Sequence, residues 1–144
     1  MIRKIEDGDG DAILAIQSAC PEIAQWTAWD YVRVARGEMV GWVADNEGVV
    51  AGFLVARRIV SEIEILNFAV RPVARRRGIG TALLREVFAW GKACGAETAL
   101  LEVRASNLAA LRFYERHGFR TTGRRKLYYA APTEDGLELT ASLE

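Results

Sequence analysis

Cysteine, proline and histidine are all scarce in this sequence. Its 144 residues include two cysteines, three prolines and one histidine. Cys20 and Cys94 have neither the spacing of a metal site nor a paired redox motif, which is typical of a reducing compartment. We expect both to be small buried hydrophobic residues. The scattered prolines form no linker, so the sequence predicts a single domain over residues 1–144.

The sequence also lacks net charge and long apolar runs. Nineteen Lys and Arg balance nineteen Asp and Glu, so no overall field favours nucleic acid or a membrane surface. The charged start MIRKIEDGDG is unlike a signal peptide, and no apolar run has the length of a membrane span. We therefore predict a cytoplasmic protein with no nucleic-acid or membrane partner. Apolar residues make up 51% of the chain, enough for a core without disulfides or metal.

Hydrophobic periodicity predicts strands and helices in the order β-α-α-β-β-β-α-β-α-β-β. The runs EMVGWVAD and VVAGFLVARRIV flank the short link NEG and predict a hairpin. Late strands are predicted around FRTTGRRKLYYA and LELTASL. This mixed order indicates an α+β domain with helices against a mostly antiparallel sheet and one parallel crossover.

The stretch RRRGIGTALL, Arg75 to Leu84, combines positive charge, glycines and the start of a helix. First-turn amides have no intrahelical partner and carry the positive end of the helix dipole, so they favour an anion. Gly78 and Gly80 let the backbone approach that anion closely. We infer a phosphate or pyrophosphate ligand. The alternatives are glycines that serve turns or packing and arginines that form a solvated face.

Three motifs resemble the GNAT superfamily of N-acetyltransferases: Arg75-x-x-Gly78-x-Gly80, LEVRASNLAALRFYERHGF and YYAAPTEDGLEL. Within it the chain is similar to bacterial enzymes that acetylate the N-terminal alanine of a small-subunit ribosomal protein. The resemblance implies a mostly antiparallel mixed sheet, splayed between its fourth and fifth strands and flanked by helices. It also implies acetyl-coenzyme A as cosubstrate, no metal, and a protein N-terminal α-amine as acceptor.

The same resemblance assigns residues to the cosubstrate. The pyrophosphate would lie on the loop and first helical turn, and the pantetheine arm beside the strand LNFAV and the start of the later helix. These positions are Arg75, Arg76, Arg77, Gly78, Ile79, Gly80 and Thr81, then Phe68, Ala69 and Val70, and Asn107. For the strand residues, ordinary core packing is an alternative. Asn107 is also expected to cap its helix.

Acyl transfer to an amine needs a base and an acid. Glu102 is the candidate base because it lies on an apolar strand, where burial raises a carboxyl pKa. The alternative is a structural carboxylate bound to Arg104 or another cation. Tyr114 shares a helix face with Asn107, which suggests core packing, but the family motif places an acid there. The resemblance also implies that Glu64, on the preceding strand, lies at the substrate-binding site and competes with Glu102 as base by acting through water.

The late hairpin, which contains YYAAPTEDGLEL, is the candidate border of the acceptor groove. The resemblance places Tyr128 and Tyr129 as its aromatic wall, with Glu134 and Asp135 nearby; a solvated hairpin with cross-strand aromatic pairs is the alternative. Gly136 stands where a small apolar residue is expected. Two other functions stay open: a small-molecule amine acetyltransferase and a non-catalytic acyl-coenzyme A sensor. The sequence predicts no oligomeric state.

Overall fold

The computed structural model describes residues 1–143, and its helices and strands follow the order that the sequence predicts. The sheet strands and α-helices in chain order are β1 Ile2–Lys4, α1 Gly10–Ser18, α2 Ala28–Ala35, β2 Val40–Asn46, β3 Val49–Ile59, β4 Glu62–Val70, α3 Ile79–Ala93, β5 Thr98–Arg104, α4 Leu108–Arg116, β6 Arg120–Tyr129 and β7 Glu134–Ser142. Short 3-10 turns lie at Asp7–Asp9 and Pro72–Ala74.

The strands of the described residues form one seven-stranded mixed sheet in the order β1-β2-β3-β4-β5-β7-β6. Its β1–β2, β2–β3, β5–β7 and β6–β7 pairs are antiparallel, whereas β4 and β5 are parallel. The parallel register covers three residue pairs, from Glu62–Thr98 to Glu64–Leu100. The mostly antiparallel α+β sheet is therefore confirmed, and its parallel ladder is short, as expected for strands that separate.

Strand β7 begins earlier than LELTASL suggested. Glu134 pairs with Tyr129 on β6, and Gly136 pairs with both Arg104 and Arg125 on the two flanking strands. Pairing on both sides satisfies the backbone of polar residues that a local pattern assigns to a loop. The prediction was wrong at this boundary because the strand is stabilised by its neighbours.

Backbone contacts divide the chain into two compact units. The first contains residues 1–57 and 65–90, and the second contains residues 58–64 and the described residues from 91 onward. The side chains buried in the first core include Ile13, Ile16, Cys20, Tyr31, Val34, Val43, Phe53, Val55 and Ala69. Cys20 is buried as expected, but Cys94 in the second unit is only half-buried, so that prediction was wrong for Cys94.

A buried polar network joins α1, α2 and β4 in the first unit. The Tyr31 hydroxyl donates to Gln17 Oε1 at 2.6 Å, and Asn67 Nδ2 donates to the Tyr31 hydroxyl at 3.1 Å. Asn67 Nδ2 also donates to the Ala24 carbonyl at 3.0 Å, and Gln17 Nε2 to the Trp26 carbonyl at 2.9 Å. Each buried polar group thus has a partner, which offsets the cost of removing it from water.

In the second unit, β5 directs alternate side chains to opposite faces of the sheet, and one of these faces packs into the core. Ala99, Leu101 and Val103 are buried, while Glu102 and Arg104 are half-buried on the other face. This alternation is the structural reason that a carboxylate occurs in an otherwise apolar run. It puts Glu102 on the face opposite Ala99, Leu101 and Val103, beside Leu100 and Arg104.

We predict that Tyr31→Phe destabilises the protein by about 1–3 kcal/mol, because Gln17 Oε1 loses its buried hydrogen-bond donor. Urea unfolding followed by circular dichroism measures the change. Tyr128→Phe is the matched control, since Tyr128 is half-exposed, and it should unfold close to the parent midpoint. Equal midpoints for both variants would contradict the network's contribution.

Candidate active site

The loop before α3 has the backbone geometry of an anion cradle. Arg76 and Gly78 have positive φ angles of 66° and 79°, and a Cβ built on Gly78 would meet no atom within 4 Å. The Ala82 amide donates to the Gly78 carbonyl at 3.0 Å, so the amides of Ile79 and Gly80 lie in the first turn before this bond. That turn presents N–H groups and the positive dipole end beside an open backbone, which suits a phosphate.

Arg75 anchors this loop within the first unit. Its Nε donates to the Val70 carbonyl at 3.2 Å, and its Nη2 lies 3.2 Å from Cys20 Sγ and 3.4 Å from Glu22 Oε1. Arg76 and Arg77 are exposed. The three arginines therefore divide into one that ties the loop to the end of β4 and two whose charge faces solvent.

Gly52 on β3 is a positioning residue that the sequence reasoning missed. A Cβ at Gly52 would lie 3.0 Å from the Ala69 carbonyl oxygen and 3.3 Å from side-chain carbons of both Ile79 and Leu83. Glycine thus lets the first turn of α3 pack closely on β3 and β4. The detectable signal was an isolated glycine inside the apolar run VVAGFLVA, which often marks a close backbone approach. On β4, Ala69 is buried, whereas Phe68 and Val70 are half-buried.

Glu102 in the second unit is a carboxylate whose loss of hydration is only partly offset by protein contacts. Its Oε1 lies 3.1 Å from Arg125 Nε, and its buried Oε2 has no hydrogen-bond partner among the described residues. Burial raises the pKa of Glu102, the nearby carboxylates of Glu138 and Glu64 raise it further, and Arg125 lowers it. The cation beside Glu102 is therefore Arg125 and not the sequence neighbour Arg104. A raised pKa in a carboxylate is the property that a general base near neutrality requires.

Tyr114 lies on the buried face of α4, as its spacing predicts. It is 9% exposed and packs edge-on against Phe113 and Phe119, with ring centroids at 5.5 and 5.4 Å. Burial raises the pKa of Tyr114 well above its usual range, and Tyr129 contributes in the same direction. Tyr114 is therefore protonated at neutral pH and in the state that can donate a proton.

The N-terminal end of α4 is capped by Asn107 as the sequence predicts, and His117 lies at its C-terminal end. Asn107 Oδ1 accepts a hydrogen bond from the Ala110 amide at 3.3 Å, which satisfies one first-turn donor. At the other end His117 Nδ1 lies 2.8 Å from the Phe113 carbonyl. The chain's single histidine is thus a helix-terminal residue, and α4 holds Tyr114 between two capped ends.

Tyr128 and Tyr129 form an aromatic pair at the end of β6. Their rings meet edge-on with centroids 5.1 Å apart. The Arg125 guanidinium lies 5.0 Å from the Tyr128 centroid, and that of Arg104 lies 4.6 Å from the Tyr129 centroid. Tyr128 is half-exposed, whereas burial raises the pKa of Tyr129 to about 12. One ring therefore offers an open aromatic surface, while the other is fixed beneath a cation.

Gly136 on β7 provides the space for both tyrosine rings. A Cβ at Gly136 would lie 3.1 Å from Tyr128 Cδ2 and 3.2 Å from Tyr129 Cε2, closer than ordinary carbon contacts. The glycine in place of the expected small apolar residue thus has a structural cause. It leaves room beside the strand for both rings of the edge-on pair.

The acidic residues near the tyrosines are engaged within the chain. Glu134 Oε1 accepts from Arg104 at 3.1 Å and from the Ser106 hydroxyl at 3.0 Å. Asp135 accepts from Arg124 at 2.6 Å and from the Leu127 amide at 2.9 Å. These bonds lower the pKa of both carboxyls. Glu134 and Asp135 therefore support the hairpin that carries the tyrosine pair.

Neither a metal-binding cluster nor a membrane-spanning helix is found in residues 1–143. Across residues 1–143, no group of three or more His, Cys, Asp or Glu side chains is arranged to hold a metal ion. In the same residues, no helix combines the length and the apolar character needed to cross a bilayer.

Comparison with known proteins gives consistent matches. The model of the acetyltransferase (GNAT) family matches residues 11–119. Ribosomal protein bS18-alanine N-acetyltransferase from Escherichia coli is 41% identical over 93 residues, which cover 65% of this chain and 62% of that protein. A putative counterpart from Bacillus subtilis is 33% identical over 95 residues, covering 66% and 63%.

The fold is also similar to a solved structure. The crystal structure of the ribosomal-protein-S18-alanine N-acetyltransferase from Escherichia coli superposes with a TM-score of 0.87 at 27% identity, covering 100% of this chain and 94% of that one. In sequence, however, the match spans less than two thirds of the length of both curated relatives. The likeness in fold therefore extends further along the chain than the likeness in sequence.

We predict that Gly136→Ala displaces the tyrosine pair while the protein stays folded, because the half-exposed Tyr128 ring can rotate away from the new methyl group. Aromatic NMR spectra should show shifted signals for Tyr128 and Tyr129. Gly10→Ala is the control, since a Cβ at Gly10 meets nothing within 4 Å. Unshifted tyrosine signals in Gly136→Ala would show that the ring pair does not depend on this glycine.

Proposed function

The chain belongs to the acetyltransferase (GNAT) family, and from this membership we propose that it transfers the acetyl group of acetyl-coenzyme A to the N-terminal α-amine of a protein. The proposed acceptor is the N-terminal alanine of a small-subunit ribosomal protein. The proposal depends on the curated relatives, which are named for that activity.

The residues of the loop fit the cosubstrate's pyrophosphate. The open backbone at Gly78 and the first-turn amides of α3 would bind it, and the exposed Arg76 and Arg77 would attract its charge. The cosubstrate supplies a thioester, which activates the acetyl group towards an amine. Arg75 keeps the loop attached to the end of β4, so that the helix terminus stays directed at one place.

Glu102 is the proposed base. Its raised pKa brings the carboxylate closer to the pKa of an α-amine, which is about 8, whereas a lysine amine has a pKa of about 10.4. A modest base therefore suffices for an α-amine. Glu64 places a second negative charge near Glu102, and the pair can order water that passes the proton from the amine to Glu102.

Tyr114 is the proposed acid. The buried hydroxyl stays protonated at neutral pH, so it can give its proton to the departing thiolate of coenzyme A. Its ring is fixed by Phe113 and Phe119, which holds the hydroxyl in one position. The Tyr128–Tyr129 pair is the proposed wall for an extended peptide end, with the half-exposed Tyr128 ring as the contact surface.

The acceptor is tested with peptides that carry both an N-terminal alanine and an internal lysine. Mass spectrometry after incubation with acetyl-coenzyme A should find the acetyl group on the α-amine. Acetylation of lysine alone would refute the assignment, and equal labelling of free polyamines would favour a small-molecule acetyltransferase. Binding of the cosubstrate without transfer to any amine would favour an acyl-coenzyme A sensor.

We predict that Tyr114→Phe lowers kcat by about 100-fold to 10,000-fold with little change in acetyl-coenzyme A affinity, because the ring packing is kept while the proton donor is lost. Steady-state kinetics and calorimetry measure the two quantities. Tyr31→Phe is the control, which removes a hydroxyl from the other unit and should keep turnover where it is folded. If Tyr114→Phe turned over at the parent rate, Tyr114 would contribute only packing and would not be the proton donor.

We predict that Gly80→Val weakens acetyl-coenzyme A binding by about tenfold or more, equivalent to about 1.4 kcal/mol, because a branched side chain would block the approach of an anion to the first turn of α3. Isothermal titration calorimetry measures the affinity. Gly10→Val, at the start of α1, is the matched control and should bind as the parent does. Unchanged affinity in a folded Gly80→Val protein would show that the pyrophosphate does not bind at the first turn of α3.

A further inference from the structure

One side chain, Arg125, contacts three groups of the second unit at once. Its Nε donates a hydrogen bond to Glu138 Oε1 at 2.9 Å. The same nitrogen lies 3.1 Å from Glu102 Oε1. Its guanidinium carbon also lies 5.0 Å from the centroid of the Tyr128 ring. Arg125 thus links the proposed base, a second carboxylate and the proposed acceptor wall.

The strand register explains why a cation is needed here. Glu102 on β5 and Glu138 on β7 are directly paired residues, so their side chains lie on the same face of neighbouring strands. Like charges directly opposite each other destabilise a sheet. Arg125 reaches both from β6, and the shared guanidinium offsets the repulsion between them.

Glu102, Glu138 and Arg125 differ in solvent exposure, and this difference indicates which carboxylate holds the guanidinium. Glu102 is 17% exposed, Glu138 is 41% exposed and Arg125 is 51% exposed. The better-solvated Glu138 holds Arg125 by a hydrogen bond, whereas the buried Glu102 is only an ion-pair neighbour of the same nitrogen. The guanidinium can therefore remain on Glu138 while Glu102 Oε2 is directed at another donor.

We propose that Arg125, held by Glu138, is a positioning residue that orients the Glu102 carboxylate and supplies the positive charge that keeps it ionised as a base. The inference rests on the proposed function. The charged and titratable groups that face Glu102 are Arg125 and Tyr129 on β6, Glu138 on β7 and Glu64 on β4. Among these, Arg125 is the group that favours the ionised carboxylate.

Two substitutions should move the acid limb of the kcat/KM pH profile in opposite directions. Arg125→Gln removes the positive charge, so the pKa of Glu102 rises and the acid limb moves up by about one pH unit. At a pH well below the limb, activity then falls about tenfold against the parent. Glu138→Gln keeps an amide oxygen for the Arg125 hydrogen bond but removes the opposed negative charge, so the limb should move to lower pH.

Two further variants separate this role from general damage. Arg125→Lys keeps a positive charge and should return the limb close to that of the parent. Arg124→Gln is the matched control on the same strand, since Arg124 pairs with Asp135, and its limb should not move. A purely structural role for Arg125 would lower activity equally at every pH and would give no opposite shifts.

NMR titration of the Glu102 carboxyl carbon provides a readout that does not need acetyl transfer. A higher pKa in Arg125→Gln, matched by the moved acid limb, supports the proposal. An unchanged Glu102 pKa overturns it, whether or not the protein is active. A moved pKa without a moved limb overturns the positioning role, because Glu102 is then not the base. Failure of the parent protein to acetylate any amine overturns the proposed function itself and the inference with it.

Discussion

The half-buried carboxylate of Glu102 on β5 is the constraint around which the charged groups of the second unit are arranged. Removing an ionised group from water costs several kcal/mol unless a countercharge and hydrogen bonds compensate. Glu102 receives only part of that compensation, from Arg125, and its Oε2 has no hydrogen-bond partner among the described residues. The incomplete compensation raises the pKa of Glu102. The packing around the carboxylate is the main cause of that shift.

Two charged residues near Glu102 in that unit, Arg104 and Asp135, are bound by other partners. Arg104 is the nearest cation along the strand, but it is bound by Glu134 and stacked over Tyr129. Asp135 is bound by Arg124. Each of these partners satisfies a charge locally and fixes the hairpin that carries the tyrosine pair. The Glu102 carboxylate and the Tyr128–Tyr129 pair are therefore positioned by one set of strands.

In the first unit, the packing holds the N-terminus of α3 and the loop before it in place. Gly52 allows the close packing of α3, and Arg75 ties the loop to the Val70 carbonyl. Deeper in the unit, the hydroxyl of Tyr31 joins Gln17 and Asn67. The Gly52 and Arg75 contacts involve the backbone at the end of β4, so they position the loop and the first turn of α3 beside that strand.

The sequence by itself determined those features that depend on near neighbours. The stretch LNFAV predicted a strand that is the end of β4, Glu62–Val70, and Asn107 predicted the cap of α4, because side-chain direction and capping are set within a few residues. The start of β7, the exposure of Cys94 and the partner of Glu102 were decided by the tertiary structure. Arg104 lies two residues from Glu102 along the strand, yet the β5–β7–β6 register delivers Arg125 instead. Which cation reaches a buried charge depends on strand pairing over long sequence separations, and local periodicity carries no information about that pairing.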